Sequence, residues 1–393
     1  CETLSSLSIW APAGLTPERV LERVRLRVED GKIAGLEEGC APGPGDRVFE
    51  NAKLLPGLVD LQVNGGAGAA YADADPAERE RATHFHLAHG TTSLLATLVS
   101  APLEDLCAGA ERLAPEVDPH GPLLGIHLEG PFLAEAKAGA HAERVLCDPT
   151  PARVSRLLKA AGPALRMLTL APERPGALEA TEQLVRAGVV VAAGHSVASL
   201  LELRRAVDRG LSFVTHLGNA SDWPSRPVDP ERGFRTSEPG LVGGFMVESR
   251  LRGSLILDGF HLHPELAQAL VALRGVEQVA LVSDATPAAG QPPGRYRIGG
   301  LEAEVHAEGY ATSGRGLAGS VIPLMDAVRT ALKETSLTLG QALRMATLTP
   351  AEVIGVDTHK GRLEPGYDAD LLLVGPALEV LEVYRAGTRV PQP

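Results

Sequence analysis

Eight short apolar runs alternate along the chain with amphipathic stretches that have the period of a helix. Two of the amphipathic stretches, PAERERATHFHLAHG and LEATEQLVRAG, end at Gly90 and Gly188, which are typical helix stops. Apolar runs without polar alternation are typical of parallel strands covered on both faces. The series predicts an α/β fold, a (β/α)8 TIM-type barrel, with a doubly wound open sheet as the alternative. The runs are LVDLQV (58–63), TSLLATLV (92–99), LLGIHLE (123–129), ALRMLTLA (164–171), GVVVAAGH (188–195), SFVTHL (212–217), GSLILDG (253–259) and VALVSD (279–284).

The two ends of the chain have a different pattern. RVRLRVEDGKIAGLEEG alternates apolar and polar positions around Asp30-Gly31, which predicts a β-hairpin. The far end, with GRLEPGYDADLLLVG and LEVLEVYRAGTRV, is also β-rich and lacks a long helix. We therefore predict a small β-sandwich domain built from both termini, residues 1–55 and 358–393, beside a barrel over residues 56–357.

Composition narrows the class of protein. Apolar residues make up 44% and charged residues 22% of the 393 residues, as in globular proteins. The net charge of -12 argues against nucleic-acid binding, and the absence of a long apolar run or secretory signal argues against membrane association. Four widely spaced cysteines without a CxxC pair indicate reduced thiols in a cytoplasmic protein.

Ionisable and amide side chains recur where the apolar runs end. All carboxyl ends of the strands in a barrel converge on one mouth, where barrel enzymes carry out catalysis. Histidines scattered through a core would have no reason to occupy the same relative position on run after run. We therefore expect a site built from Asp60, Gln62 and Asn64, then His127 and Glu129, then His195, His216 and Asn219, then Asp258, His261 and Asp284.

Three of these residues form a reasonable set of metal ligands. Glu129, His195 and His216 offer one carboxylate and two imidazoles, which leaves a coordination position open for water, as catalytic zinc requires. Asp284 would then be the general base beside that water.

Other polar residues have a structural explanation as well. His127 is expected to support Glu129 rather than bind metal. Asp60 and Asp258 fit structural hydrogen bonds at least as well as substrate contacts. His84, His86 and His89, on the helix before Gly90, are interpreted as a solvated helix face.

A series of sequence motifs resembles that of a known protein family. PGLVDLQVNG, GIHLEGPFL followed by KAGAH, AGHSVAS, THLGNAS, ILDGFHLHPE, LVSDAT and LAGS follow one another in order. In this series the chain resembles the N-acetylglucosamine-6-phosphate deacetylases of the amidohydrolase superfamily, over nearly its whole length.

The resemblance implies a role for each matching residue. It makes Glu129, His195 and His216 the metal ligands and Asp284 the acid and base. Four further positions and one backbone group would bind substrate: His141 at the amide or sugar, His261 near the phosphate, Asn219 and the Ala220 backbone at the phosphate end, and Leu317 in the acetyl pocket.

The resemblance also bears on the number of metals. Many amidohydrolases carry H-x-H on the first strand and hold two metals, whereas here the positions are Gln62 and Asn64. Amides are poor metal ligands beside imidazole. We therefore expect one divalent ion per chain, Zn²⁺, and the family implies a homodimer.

One stretch departs from the family pattern. Family members carry Arg-Glu-Pro-Gly where this chain has SEPG over residues 237–240, so a phosphate-binding arginine is missing at Ser237. Arg226, Arg232 and Arg235 lie in the preceding, longer loop, either as substitutes for that arginine or as solvated side chains.

The expected reaction is hydrolysis of the acetamide of N-acetyl-D-glucosamine 6-phosphate, in amino-sugar catabolism. One alternative is a deacetylase for N-acetylgalactosamine 6-phosphate or another N-acyl amino sugar. A more remote alternative is a non-catalytic paralogue that binds sugar phosphates.

Overall fold

The computed structural model describes residues 6–72, 75–221, 238–298, 301–314 and 316–392. The strands are β1 (Ser6–Leu15), β2 (Val20–Glu29), β3 (Lys32–Glu37), β4 (Arg47–Val48), β5 (Lys53–Pro56), β6 (Leu58–Val63), β7 (Gly65–Gly66), β8 (Ala69–Ala70), β9 (Thr91–Val99), β10 (Leu123–Glu129), β11 (Leu165–Leu170), β12 (Val190–Ala193), β13 (Phe213–Val214), β14 (Arg252–Leu255), β15 (Val279–Leu281), β16 (Gly294–Ile298), β17 (Leu301–Val305), β18 (Ala311–Ser313), β19 (Gly316–Leu317), β20 (Leu371–Val374), β21 (Val380–Arg385) and β22 (Thr388–Arg389). The α-helices are α1 (Pro76–Ala88), α2 (Leu103–Leu113), α3 (Pro151–Ala161), α4 (Ala177–Arg186), α5 (Leu200–Val207), α6 (Gly240–Val247), α7 (Pro264–Arg274), α8 (Leu324–Glu334), α9 (Leu339–Met345) and α10 (Leu348–Val353).

The barrel prediction is confirmed. Strands β6 and β9 to β15 pair in chain order as one parallel sheet, and each predicted apolar run supplies one of them. The first and last strands also meet, because Val63 bridges Ala285 and the Asp284 amide donates to the Gln62 carbonyl at 3.0 Å. The sheet therefore closes into a barrel rather than remaining open.

The barrel interior is apolar towards the amino ends of its strands. Side chains such as Leu61, Leu124, Met167 and Phe213 form one inner cluster, fully or almost fully buried. The helices pack on the outside of the sheet and share a second, larger cluster with it. This apolar floor leaves the carboxyl ends of the strands as the place where polar side chains can gather.

The small β domain built from both termini is also confirmed. Its strands follow the order β22-β21-β20-β5-β1-β2-β3, with β4 beside β1, so C-terminal and N-terminal strands share one sheet. The predicted turn lies between β2 and β3, where Asp30 and Gly31 both have positive φ. Side chains from both ends form a single core. The boundaries at residues 55 and 357 stay a prediction.

A four-stranded antiparallel sheet, β16 to β19, stands between the last barrel strand and α8. The sequence pattern did not predict this sheet, because its strands are short and glycines lie between them. Alternation in GRYRI and LEAEV was the available signal, since their burial follows a period of two. The sheet matters for the site because it brings Ile298 and Leu317 to the cavity described below.

One prediction about α1 is wrong. His86 is fully buried rather than solvated, and its Nε2 donates to the Gly65 carbonyl at 2.9 Å. The helical period places His86 on the same buried face as Ala82 and Thr83. Burial lowers the pKa of His86 to about 4, so the ring is neutral.

Two observations concern the rest of the chain. None of the helices in the described ranges is long and apolar enough to span a membrane. Cys40, Cys107 and Cys147 are free thiols.

Candidate active site

A cavity of about 1040 Å³ opens at the carboxyl ends of the barrel strands. It collects side chains that are far apart in the sequence, as the convergence argument predicts. Gln62 does not line it, although it is buried nearby in β6. The predicted site residues that line the cavity are Asn64, Glu129, His141, His195, His216, Asn219, Ala220, His261, Asp284 and Leu317.

Glu129, the last residue of β10, lies at the centre of three histidines. Its Oε1 is 2.8 Å from Nε2 of His216 and 3.2 Å from Nε2 of His195. Its Oε2 is 3.7 Å from Nε2 of His141. All four side chains are buried, and a buried carboxylate needs a compensating partner.

In two of these histidines, the hydrogen bonds place the ring proton on different nitrogen atoms. Nδ1 of His195 lies 2.8 Å from the Lys137 carbonyl, which can only accept, so the ring proton is on Nδ1 and Nε2 keeps its lone pair. His141 is the reverse, because its Nδ1 accepts from the Ser100 amide at 3.3 Å and its proton is on Nε2. His195 therefore presents a ligand atom, whereas His141 presents a donor.

Burial and the central carboxylate set the pKa values of this cluster. Burial opposes ionisation of Glu129, yet the surrounding imidazoles hold its pKa well below the usual value. Burial lowers the pKa of His141 to about 3, with His195 adding to the effect, so this ring is neutral. For His216, burial is outweighed by Glu129, and the pKa is raised.

The donor set fits a divalent cation. Ligand atoms of Glu129, His141 and His195 lie within 4.8 Å of one another. The protonated Nε2 of His141 is unsuited to ligation, whereas His216 directs Nε2 at the same carboxylate oxygen as His195. Glu129, His195 and His216 are thus the residues that could hold the ion, with His141 beside it as a donor.

Asp284 follows β15 and completes the mouth of the barrel. Its φ is +49°, and the φ values of His195 and His216 are +49° and +30°. Non-glycine residues rarely adopt this conformation, and such strain clusters at functional sites. Burial, followed by the charge of Glu129, raises the pKa of Asp284 to about 6. Asp284 can therefore both accept and release a proton near neutral pH.

His261 is held in the cavity wall by Asp258. Oδ2 of Asp258 accepts from Nδ1 of His261 at 2.6 Å, and its Oδ1 accepts from the amides of Phe260 and His261, each at 2.9 Å. Asp258 therefore makes structural hydrogen bonds, which was one of the two roles expected for it. They leave Nε2 of His261 as the ring atom that is not committed to Asp258.

With this geometry established, comparison with known proteins identifies the family. Residues 254–390 match the amidohydrolase family. The chain is 34% identical to N-acetylgalactosamine-6-phosphate deacetylase of Escherichia coli O157:H7, over 95% of this chain and 96% of the relative. It is 34% identical to N-acetylglucosamine-6-phosphate deacetylase of Homo sapiens, over 98% and 91%.

A solved structure gives the same result. A variant of N-acetyl-D-glucosamine-6-phosphate deacetylase from Mycobacterium smegmatis, in complex with N-acetyl-D-glucosamine-6-phosphate, is 36% identical. It superposes with a TM-score of 0.91 over 98% of this chain and 100% of that one. The chain belongs to the N-acetylglucosamine-6-phosphate deacetylase family of amidohydrolases. It is an enzyme of this metal-dependent family.

Two other predicted site residues, His127 and Asp60, do not line the cavity of this deacetylase family member. They support its barrel instead. Nδ1 of His127 is 3.0 Å from the Leu61 carbonyl and its Nε2 is 2.8 Å from Thr169 Oγ1. Asp60 accepts from the amide of Ser283 at 3.2 Å, which joins β6 to the end of β15. Burial lowers the pKa of His127 to about 4 and raises that of Asp60 to about 7.

Two arginines at the deacetylase cavity were not among the predicted site residues. Arg144, in the turn after His141, and Arg297, on β16, both line it. Among the described residues, neither guanidinium has a hydrogen-bond or ion-pair partner. No sequence signal singled them out, because only the path of the turn and the missed sheet bring them to the cavity. Arg226, Arg232, Arg235 and Ser237 lie outside the described residues.

Proposed function

We propose that this enzyme hydrolyses the acetamide of N-acetyl-D-glucosamine 6-phosphate to D-glucosamine 6-phosphate and acetate. The observation that carries the proposal is the arrangement of Glu129, His195 and His216 in one buried cluster, with Asp284 in the same cavity. The names of the relatives support the substrate class. The reaction belongs to amino-sugar catabolism.

Glu129, His195 and His216 would hold the metal ion, which we propose is one Zn²⁺ per chain. When bound, such an ion lowers the pKa of water and polarises the amide carbonyl. Asp284 accepts a proton from the attacking water and afterwards donates it to the leaving nitrogen. Nε2–H of His141 donates to the carbonyl oxygen as negative charge develops there. Water is consumed, the C–N bond breaks, and acetate and the amine leave.

The phosphate end of the substrate requires cations. We propose that Arg144 and Arg297 contribute them, alongside His261, Asn219 and the Ala220 backbone. Both arginines line the cavity, and a planar guanidinium suits a phosphate. Arg226, Arg232 and Arg235 remain the alternative.

The test of phosphate binding compares KM for phosphorylated and plain sugars. Arg144→Ala and Arg297→Ala should each raise KM for N-acetylglucosamine 6-phosphate by about 3- to 10-fold. KM for plain N-acetylglucosamine should not change. Arg295→Ala is the matched control, because Arg295 lies on the same strand but does not line the cavity. A KM increase confined to Arg226→Ala, Arg232→Ala or Arg235→Ala would assign the phosphate to the loop instead.

The hexosamine itself has two candidates. An N-acetylgalactosamine-6-phosphate deacetylase is as similar to this chain as the human glucosamine enzyme, at 34% identity each. Amine release should therefore be measured on both 6-phosphates and on plain N-acetylglucosamine, with metal content determined on the same preparation. A preference for N-acetylglucosamine 6-phosphate with about one metal per chain supports the proposal. Metal binding without release of amine from any of these sugars would favour the non-catalytic paralogue.

We further propose a cytoplasmic homodimer. Support comes from the relatives, which are metabolic enzymes by name, and from the dimeric state that the family resemblance implies. Light scattering coupled to size-exclusion chromatography measures the mass directly, and a mass near 41.1 kDa would indicate a monomer instead.

A further inference from the structure

Asn64 stands at the seam where the barrel closes. Its backbone amide donates to the Ala285 carbonyl at 2.8 Å, and its carbonyl accepts from the Tyr71 amide at 3.2 Å. Asp284, on the other side of the seam, donates its amide to the Gln62 carbonyl at 3.0 Å. The backbones of the two residues are therefore fixed relative to each other.

Their side chains meet in the same place. Nδ2 of Asn64 donates to Oδ1 of Asp284 at 2.8 Å. Oδ1 of Asn64 is buried and has no hydrogen-bond partner among the described residues. If the amide were turned over, this oxygen would face the carboxylate oxygen, and two acceptors would repel each other. The orientation of the amide is thus set by an ionised Asp284.

This single hydrogen bond distinguishes the two oxygens of Asp284. The torsion that rotates a carboxylate is soft, so an unrestrained group presents either oxygen. Here Oδ1 is occupied by the Asn64 amide, whereas Oδ2 lies towards Gly319, a residue of the cavity wall. A proton taken by the carboxylate is directed to Oδ2, because Oδ1 keeps accepting from Asn64.

We propose that Asn64 is a positioning residue, which anchors Oδ1 of Asp284 and thereby makes Oδ2 the atom that receives and returns the proton. The inference rests on the proposed hydrolysis for its kinetic consequence but not for the contact itself. It also gives a use to an amide at a position where many amidohydrolases have a metal-binding histidine.

The kinetic test is Asn64→Leu, which removes the donor at similar volume. A hydrogen bond to a charged group predicts a kcat about 10- to 100-fold lower, with KM within about 3-fold of the wild type and metal content unchanged. The acidic limb of the kcat profile should also move to higher pH, since the lost donor favoured the ionised form. A loss of metal in parallel with activity would instead make Asn64 part of the metal site and overturn the proposal.

Two further variants guard against trivial explanations. Thr91→Val is the matched control, because Thr91 is fully buried at the opposite end of the barrel strands and its hydroxyl has no hydrogen-bond partner in the part of the chain that the structure describes. It should leave kcat unchanged. If Asn64→Leu fails to fold, Asn64→Ala removes the donor with less steric demand, and a wild-type kcat in that folded variant would overturn the proposal.

A spectroscopic test needs no substrate. The chain contains only three asparagines, Asn51, Asn64 and Asn219. Labelling with ¹⁵N-asparagine therefore gives three side-chain amide pairs, and Asn64→Leu identifies one of them by its disappearance. Asp284→Leu should shift the donated proton of Asn64 upfield towards free-amide values, and unchanged Asn64 signals would overturn the contact.

The two experiments separate the inference from the proposed function. If the wild type releases no amine from any acetylated amino sugar, the proposed function fails, and the amide spectra still decide whether Asn64 holds Asp284. If the wild type is active and Asn64→Leu has wild-type kcat and an unmoved pH profile, only the inference fails.

Discussion

Among the residues that the structure describes, two clusters of three histidine and carboxylate side chains bring their ligand atoms within 4.8 Å of one another, and one of the two has the character of an active site. The first contains Glu129, His141 and His195 at the barrel mouth. The second contains His120, His359 and Asp368 at the small β domain. By distance and residue type alone, either would qualify as a metal site.

The second cluster is already balanced in charge. Lys360 pairs with Asp368 at 2.9 Å and with Asp370 at 2.7 Å, and Lys32 contacts Asp368 as well. Burial opposes ionisation of Asp368, but Lys32 and Lys360 lower its pKa to about 2. Its carboxylate is therefore charged and compensated without any ligand.

At the barrel mouth the balance is different. Among the described residues, Glu129 is contacted by imidazoles and by no lysine or arginine, and Asp284 is held by an amide. Four non-glycine residues of the cavity, His195, His216, Ala220 and Asp284, also have positive φ. The difference teaches that charge compensation and backbone strain, rather than proximity, separate a site prepared for a cation and substrate from a structural ion cluster.

The largest expected effect is that of removing the central carboxylate. Glu129→Ala should abolish both metal binding and turnover, because two imidazoles alone are an incomplete set for a catalytic divalent ion. His359→Ala is the control from the other cluster and should leave metal content unchanged. Metal content measured by plasma mass spectrometry checks both, and metal loss in His359→Ala would reverse the assignment of the two clusters.

Replacing the proposed acid and base comes next. Asp284→Asn should lower kcat by about 10²- to 10⁴-fold, the usual contribution of general acid–base catalysis. Metal content should stay at the wild-type level, since Asp284 is not one of the three proposed ligands. Turnover near the wild-type rate would refute the assignment of Asp284.

The structural cluster should reveal itself in stability. Lys360→Met leaves two carboxylates, Asp368 and Asp370, without their buried partner, and should lower the free energy of unfolding by about 3–5 kcal/mol. Urea denaturation measures this. Arg19→Met is the control, because its ion pair with Glu38 is exposed and should contribute little to stability. Equal losses of stability in the two variants would contradict the structural role of the second cluster.

The mildest perturbation is a change of pH. The pKa of Asp284 is raised to about 6, so the ionised base is depleted as pH falls through that value. Because this pKa belongs to the substrate-free enzyme, we expect kcat/KM to fall about tenfold per pH unit below it. Asp368, with its pKa near 2, stays ionised over the same range. A kcat/KM that is flat down to about pH 5 would place the base elsewhere.

The features that could be predicted from the sequence are those that follow from the spacing of its apolar residues. The barrel strands are continuous apolar runs, and their polar ends converge because strand order follows chain order. The sequence pattern therefore predicted that one mouth of the barrel contains Glu129, His195, His216 and Asp284. It could not place the protons of His141 and His195, because these depend on the Ser100 amide and the Lys137 carbonyl, which are remote contacts.

Prediction from the sequence failed where a short strand, a turn or one face of a helix determines which side chains are buried or reach the cavity. His86 was assigned to solvent because three histidines on one helix look polar, although the helical period turns this one inward. Arg144 and Arg297 reach the cavity through a turn and a sheet with weak patterns. The second of these was not predicted as an element at all.

The pairing of β5 with β20 has a consequence for synthesis. Leu54 lies opposite Leu373 in one antiparallel ladder, so a strand translated early has its partner near the other end of the chain. While the ribosome makes the whole barrel, β5 keeps one edge unpaired, and such edges are templates for association with other chains. The small domain can therefore be completed only after the barrel has been translated, and a chain released before β20 would keep this sheet edge open.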